Sequence, residues 1–392
     1  MKEIPAPIRK PHQLSKVITS LLKPKEQKKF LSKLLAWYKL DGRHDMPWRK
    51  TKDPYAIFVS EFMLQQTTVS TVRPYYERFL KRFPTISSLA KADLNDVLAL
   101  WSGLGYYARA RNLWASMKIV EDDFDGVIPS DLQALLKLPG VGYYTAGAVS
   151  SLAFHRPVPV LDGNITRVMM RLFAMQEDPR LKAVQVILRK TMTDLLSHVI
   201  GPQVKDAVLA FMDLGASLCS PQNAKCLICP VSEFCLAKKN GYQDQIPFRE
   251  ERMERPTVRR HYSMIIHKGK WLVAQRPKEG LFGGLWEFPG FDAPPGINPV
   301  DFLEDRVRED FGLKIRVNEA LPAFDHHLTH KIMAIRSFIS KLKGKYTSLP
   351  RNPKNYTSCR WVKPHSLNRF GISSVTRKII SLITRDNVMS DQ

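Results

Sequence analysis

"LPGVGYYTAG" occupies Leu138–Gly147. A proline, two closely spaced glycines and a following run of small residues read as a turn that starts a helix. Gly140 and Gly142 permit positive φ, and a backbone without side chains lets an anion approach closely. The helix beginning near Tyr143 aims its free N–H groups at the same place, which suits a phosphate. A corner between helices in any α protein would use the same residues. The stretch therefore fixes a local shape, and the rest of the chain must supply the ligand.

On either side of it, residues from about 27 to 218 read as helices. "KFLSKLLAWYKL", "ADLNDVLALW", "YYTAGAVSSLAF", "GNITRVMMRLFAM" and "KDAVLAFMDLGASLC" carry apolar residues at helical spacing and follow at short intervals. Another helix starts after Asp53-Pro54 and is expected to break near Pro74. The pattern changes after the charged, proline-containing segment 247–257. "HYSMIIHKG" and "KWLVAQR" read as a strand–turn–strand hairpin, followed by "LWEFPGF", a helix "DFLEDRVREDFG" and the strand-like "KIMAIRSFIS" and "SCRWVKP". The expected organisation is a basic N-terminal arm (1–26), an all-α domain (27–246), a linker (247–257), a smaller α+β domain (258–385) and a tail (386–392).

The chain has 392 residues with 44% hydrophobic and 25% charged content, an ordinary globular composition. Its charge balance is less ordinary: 60 Lys and Arg against 37 Asp and Glu, a net +23. Such an excess favours a polyanionic partner, because phosphate contacts release condensed counterions. It is spread along the chain. Residues 1–246 carry 34 basic and 22 acidic side chains, and residues 247–392 carry 26 and 15. No uninterrupted apolar run is long enough to span a bilayer, and the N-terminus lacks the apolar core of a secretion signal. An intracellular location is expected.

Four of the five cysteines fall within "CSPQNAKCLICPVSEFC", where Cys219, Cys226, Cys229 and Cys235 have the spacing C-x6-C-x2-C-x5-C. One tight cluster in a long chain reads as a metal site rather than a disulfide scaffold. Four thiolates in one short loop can close around a zinc ion or an iron–sulfur cluster. Cys359 stands alone and reads as a core thiol.

The cysteine loop downstream of "LPGVG" resembles the endonuclease III group of DNA glycosylases. That resemblance implies a 4Fe-4S cluster on the four cysteines, with Lys225, Lys238 and Lys239 able to face phosphates. It also implies that Gly140, Val141 and Gly142 form a helix-hairpin-helix clamp on the DNA backbone. "SEFMLQQTTV", "LWSGLGYYARARNL", "LPGVGYYTAGAVSSLA" and "VLDGNITRV" resemble one branch of that superfamily, the MutY adenine DNA glycosylases. Taken singly, Glu61 reads as a solvated helix charge and Asp162 as a helix N-cap. The resemblance instead implies that Glu61 is the general acid and Asp162 its partner, with Asn164 supporting the aspartate. It places Gln66 and Tyr106 as wedges into the base stack, and Trp48 and Arg49 beside the adenine pocket. Tyr144 stands where a bifunctional lyase of the superfamily carries its lysine. A phenol forms no Schiff base, so the resemblance implies a monofunctional hydrolase.

"WLVAQRPKEGLFGGLWEFPGF" resembles the opening of a Nudix fold of the type appended to MutY. Nudix hydrolases hold their metal with R-E-x-x-E-E-x-G, whereas "DRVREDFG" offers only Glu309 and Asp310 as paired acids and has Asp305-Arg306 before them. Pyrophosphate hydrolysis is therefore not expected. In the family this domain senses 8-oxoguanine with a Phe-Ser-His loop, and here "DHHLTHK" supplies Leu328, Thr329 and His330. Thr329 and His330 keep hydrogen-bonding groups, while Leu328 lacks the ring.

The expected activity is excision of adenine mispaired with 8-oxoguanine or guanine, in base excision repair. Double-stranded DNA carrying A:8-oxoguanine or A:G is the expected partner of a monomeric protein, without membrane association, in the cytoplasm or nucleoid if the source is bacterial. Two alternatives are an endonuclease III-like glycosylase/lyase for oxidised pyrimidines and a non-catalytic iron–sulfur DNA-binding protein. The presence of both Glu61 and Asp162 argues against the second.

Overall fold

In the computed structural model the described residues are 23–248, 254–344, 346 and 348–389. Residues 1–22 of the expected arm, 249–253 of the linker and 390–392 of the tail lie outside them. The architecture is a helical helix-hairpin-helix domain followed by a Nudix-like domain built on a sheet. No helix among the described residues is long and apolar enough to cross a membrane.

By its internal contacts the chain divides into two compact units, residues 1–76 with 115–251 and residues 77–114 with 252–392. In the first unit, helices Pro24–Asp41, Pro54–Leu64, Tyr143–Phe154, Gly163–Leu172, Lys182–Leu196 and Pro202–Asp213 enclose one apolar core. Phe30, Leu34, Met169, Leu188, Val208 and Phe211 are its fully buried centre. Several helix starts are written in the sequence. Asp53 accepts the Tyr55 amide with Pro54 in the first turn, and Asp162 accepts the Ile165 amide. Pro74 does not end a helix as its sequence context suggests. It is the sixth residue of helix Val69–Arg82, where its missing N–H removes one intrahelical bond and the helix nevertheless continues. The chain breaks earlier, between Leu64 and Val69, where Gln66 takes a φ of 55°.

The second unit carries an eight-stranded mixed sheet: β1 (Thr257–His267), β2 (Lys270–Gln275), β3 (Trp286–Glu287), β4 (Gly290–Asp292), β5 (Ile315–Ala320), β6 (Phe324–His327), β7 (Ile332–Leu342) and β8 (Ser358–Val362). The main path runs β3-β2-β1-β7-β5, with β1 and β7 parallel and the other pairs antiparallel. The expected β1–β2 hairpin forms, and its two-residue turn places Lys268 and Gly269 at positive φ. Apolar clusters cover both faces, one containing Leu303, Val307 and Phe311 of helix Pro299–Phe311, the other Val375 and Ile379 of helix Ser374–Met389.

Residues 77–114 belong to this unit because polar bonds fix them there. Ser102 and Tyr107 each donate to the Ile372 carbonyl at 2.7 Å, and Arg111 donates to the Gly283 carbonyl at 2.6 Å. The division of contacts thus does not coincide with the charged segment 247–257. On helix Pro299–Phe311, Glu309 pairs with Arg306 on the surface. The neighbouring Asp310 is buried and accepts from the Asn355 side-chain amide at 2.7 Å. The two acids therefore occupy different environments.

Candidate active site

Glu61 lies on helix Pro54–Leu64, nearly every residue of which is buried, and is itself only 3% exposed. Tyr144, on the first turn of helix Tyr143–Phe154, donates its hydroxyl to Glu61 Oε2 at 3.1 Å. A second bond joins the same helices, from Gln65 Nε2 to Thr145 Oγ1 at 3.1 Å. Burial pushes the Glu61 carboxyl up to about 7, and the charge of Asp162 adds to the rise, while the Tyr144 hydroxyl and Arg49 oppose it. Burial also raises the Tyr144 phenol well above its ordinary range.

Asp162 caps helix Gly163–Leu172. Its Oδ1 accepts the Ile165 amide at 2.6 Å and its Oδ2 accepts Asn164 Nδ2 at 3.1 Å. Burial raises its pKa, and these two donors pull it back. The two carboxyls thus sit in different environments: Glu61 without a backbone donor and Asp162 held by one, which is how one site can hold an acid and a carboxylate together. Both line a cavity of about 760 Å³, together with Trp48, Arg49, Tyr144 and Asn164. Its size suits a single flipped base with its sugar. Trp48 is buried edge-on to Tyr76, with ring centroids 5.3 Å apart.

Arg49 does not hang free in this cavity. Its Nη1 and Nη2 engage Asp213 Oδ2 and Oδ1 at 2.7 and 2.8 Å, and the main-chain N–H and Nε of Arg43 reach the same carboxylate at 2.8 and 2.7 Å. Asp213 closes helix Pro202–Asp213, and the chain continues as a π-helical turn, Leu214–Leu218. That turn brings Gly215 against Asn164, leaving no room for a side chain: a Cβ there would stand 2.7 Å from Asn164 Cβ and 3.0 Å from its carbonyl. Gly215→Ala is expected to push Asn164 off Asp162 and slow single-turnover base excision by about 10²-fold, the usual scale for a misplacement of about 1 Å. Wild-type rates in the folded variant would show that Asn164 does not set the aspartate.

The hairpin forms as expected between helices Leu132–Leu136 and Tyr143–Phe154. Gly140 has φ 73°, Val141 is buried, and Gly142 is the N-cap, with no side chain to satisfy the amides that follow. The two residues expected as wedges are each in left-handed backbone: Gln66 is exposed with φ 55°, and Tyr106 is 49% exposed with φ 48°. Positive φ in non-glycine residues concentrates at functional positions. In the second unit the loop between β6 and β7 carries Leu328, Thr329 and His330. It is closed by the Leu328 amide on the Lys331 carbonyl at 2.9 Å. Thr329 Oγ1 lies 2.7 Å from the Tyr106 hydroxyl. Leu328 is partly buried against the sheet, whereas Thr329 and His330 are exposed. All four residues line one cavity of about 570 Å³, with Phe282 and His326 in its wall.

The four cysteines lie in the loop after the π-turn, among short 3-10 turns at Cys226–Ile228 and Ser232–Phe234. Burial, with a smaller contribution from the other three cysteines, pushes the Cys229 thiol up to about 11, so the four lie within electrostatic range of one another. Among the described residues no three His, Cys, Asp or Glu side chains converge as a site for one metal ion. Two arginines of helix Gly163–Leu172, which sequence reasoning missed, hold this loop. Arg167 donates to the carbonyls of Cys219 and Gly215, both at 2.8 Å, and to Asn164 Oδ1 at 2.9 Å. The almost fully buried Arg171 donates to the carbonyls of Ile246, Ser220 and Pro221 and lies 3.4 Å from Cys219 Sγ. The helical spacing of these two residues after Asp162 was the available signal.

Comparison with known proteins places this geometry. The model of the HhH-GPD superfamily of base excision DNA repair proteins matches residues 59–193, and the NUDIX domain model matches residues 261–382. An adenine DNA glycosylase of Buchnera aphidicola subsp. Schizaphis graminum is 33% identical, over 77% of this chain and 84% of that protein. The chain belongs to the adenine DNA glycosylase family. The rat adenine DNA glycosylase is 35% identical, over 89% of this chain and 77% of the rat protein. A solved structure described as a thermostable thymine-DNA glycosylase matches 55% of this chain and 98% of its own with 31% identity and a TM-score of 0.50. As a member of the adenine DNA glycosylase family, the protein is an N-glycosylase of base excision repair.

Proposed function

We propose that this protein hydrolyses the N-glycosidic bond of adenine mispaired with 8-oxoguanine or guanine, without strand cleavage. The observation that carries the reading is the buried Glu61 carboxyl, hydrogen-bonded by Tyr144 and set beside Asp162 in a cavity of base size. Adenine is a poor leaving group as an anion. Glu61, kept protonated by its apolar helix, gives its proton to N7 as the bond from C1′ to N9 breaks and the electron pair leaves with the base. The sugar becomes an oxocarbenium-like cation. Asp162, held by Asn164 and the Ile165 amide, stabilises it until water adds at C1′. The base reaches the cavity only after leaving the duplex stack. Trp48 forms part of the cavity wall, and Arg49 contributes to its charge.

The hairpin Gly140–Gly142 binds a DNA phosphate, and Gln66 and Tyr106 enter the stack. Tyr144 takes the place of an amine nucleophile and cannot form a Schiff base, which supports a monofunctional reaction. Cys219, Cys226, Cys229 and Cys235 hold a 4Fe-4S cluster. The support is the donor set itself, four cysteines within one short loop after the helical domain. The cluster ties the loop together and supplies no step of the reaction.

The Leu328–Thr329–His330 loop reads the lesion through the Thr329 and His330 hydrogen-bonding groups. Replacing both by alanine is expected to reduce the preference for 8-oxoguanine over guanine by about tenfold, one hydrogen bond's worth of discrimination. Unchanged discrimination would remove the role. The reading as a whole is tested by single-turnover assays of the full chain on duplexes with A:8-oxoguanine, A:G, a thymine mispair or an oxidised pyrimidine, with and without alkali. Adenine release with strand breaks only after alkali is the expected result. Breaks without alkali, or release of a pyrimidine instead, would overturn it.

A further inference from the structure

Arg49 and Glu61 line the same cavity, and a second carboxylate, Asp213, holds the Arg49 guanidinium from behind. Arg49 is almost fully buried, its side chain 7% exposed, and its charge is felt at Glu61. Both of its terminal nitrogens nevertheless point to Asp213, whose side chain is 1% exposed. Arg43 closes the other side of that carboxylate, and Arg49 Nη1 also donates to the Arg43 carbonyl at 2.9 Å. Tyr38 also faces Arg49, as a neutral phenol whose pKa burial pushes up to about 12, so it brings no charge to the contest. The other charged and titratable groups around the cavity are engaged elsewhere. Tyr144 donates to Glu61, Asp162 caps its helix, Lys205 Nζ donates to the carbonyls of Arg49 and Thr51, and Arg73 pairs with Asp45. Arg49 is thus the cation best placed to convert Glu61 from an acid into an ion-paired carboxylate. Asp213 is fixed where helix Pro202–Asp213 passes into the π-turn, and the Ser217 hydroxyl closes on its carbonyl at 2.7 Å. Such π-turns concentrate at functional positions.

We propose that Asp213 is a positioning residue whose task is to engage Arg49 and keep its guanidinium from pairing with Glu61, so that the cavity retains a proton donor. The inference rests on the reading of Glu61 as the general acid. It adds that the acid depends on a third carboxylate that does not touch the base.

The test is the pH dependence of single-turnover adenine excision by the full-length protein. In the wild type the rate falls as Glu61 loses its proton on the alkaline side. Asp213→Asn keeps the shape and most hydrogen bonds but releases Arg49, so the falling limb should move down by about one pH unit, or about tenfold in rate above it, with the acid plateau retained. Arg43→Gln, at a partly exposed side chain, leaves Asp213 to Arg49 alone and should move the limb up. A merely structural role would slow excision equally at all pH values with the limb in place, and that result overturns the proposal. If Asp213→Asn does not fold, Arg43→Gln decides alone: an upward shift supports the proposal, and an unmoved or lowered limb contradicts it. A wild type with no falling limb, or a fully active Glu61→Gln, would instead overturn the acid assignment and the inference with it.

Discussion

Glu61→Gln should reduce single-turnover excision by about 10³-fold, within the range that a positioned general acid contributes, and leave duplex binding unchanged. The amide matches the carboxyl in shape and can still accept the Tyr144 hydroxyl, so the cavity wall stays closed. It has no proton to give to N7. The buried position makes the substitution mild for the fold, because an amide needs no ionised form to be buried, whereas the carboxyl, raised by burial to about 7, is still partly ionised near neutral pH. Gel-shift binding to an A:8-oxoguanine duplex together with excision kinetics separates the two effects. Loss of binding in parallel with excision would show Glu61 to be a structural or contact residue.

Arg171→Met should be strongly destabilising in the helical unit. Arg171 is 1% exposed, and its guanidinium satisfies three main-chain carbonyls from two separate stretches, Ser220–Pro221 and Ile246. A thioether fills part of the volume but leaves the buried Ile246 carbonyl without that donor and unties the partly exposed Ser220–Pro221 stretch. The expected loss is about 3 kcal/mol, from about 1–3 kcal/mol for a buried acceptor left without its donor. The cysteine loop rests on the same guanidinium, through its 3.4 Å approach to Cys219 Sγ. Thermal unfolding should therefore drop, and visible absorbance from a bound cluster should be lost with it. An unchanged midpoint with full absorbance would show that the loop is held by the thiolates alone.

The features legible in the sequence were those with local physical signatures. The glycines of the hairpin, the Asp53-Pro54 helix start, the β1–β2 turn at Lys268-Gly269 and the cysteine spacing are each decided by a few adjacent residues. Glu61 and Asp162 were found only through their resemblance to a family, because an acid on an apolar helix and an N-cap aspartate look alike in any chain. Asp213 was invisible for a different reason. Its partners Arg43 and Arg49 lie 170 and 164 residues away, and no periodicity links them. The membership of residues 77–114 in the second compact unit rests on bonds such as Ser102 to Ile372, separated by 270 residues. Pro74 misled because the helix continues through it despite the lost backbone bond, and the true break at Gln66 needed a strained φ that glutamine does not advertise.

The central claim is that a buried carboxylic acid, Glu61, drives adenine release. Its most direct test is the rate of single-turnover adenine excision from an A:8-oxoguanine duplex as a function of pH. A group raised by burial is protonated below its folded pKa and loses the proton above it. The rate should therefore hold on the acid side and fall through a midpoint near the value of about 7 that burial gives Glu61. A rate that stays flat through neutrality, or rises with pH, would contradict the account.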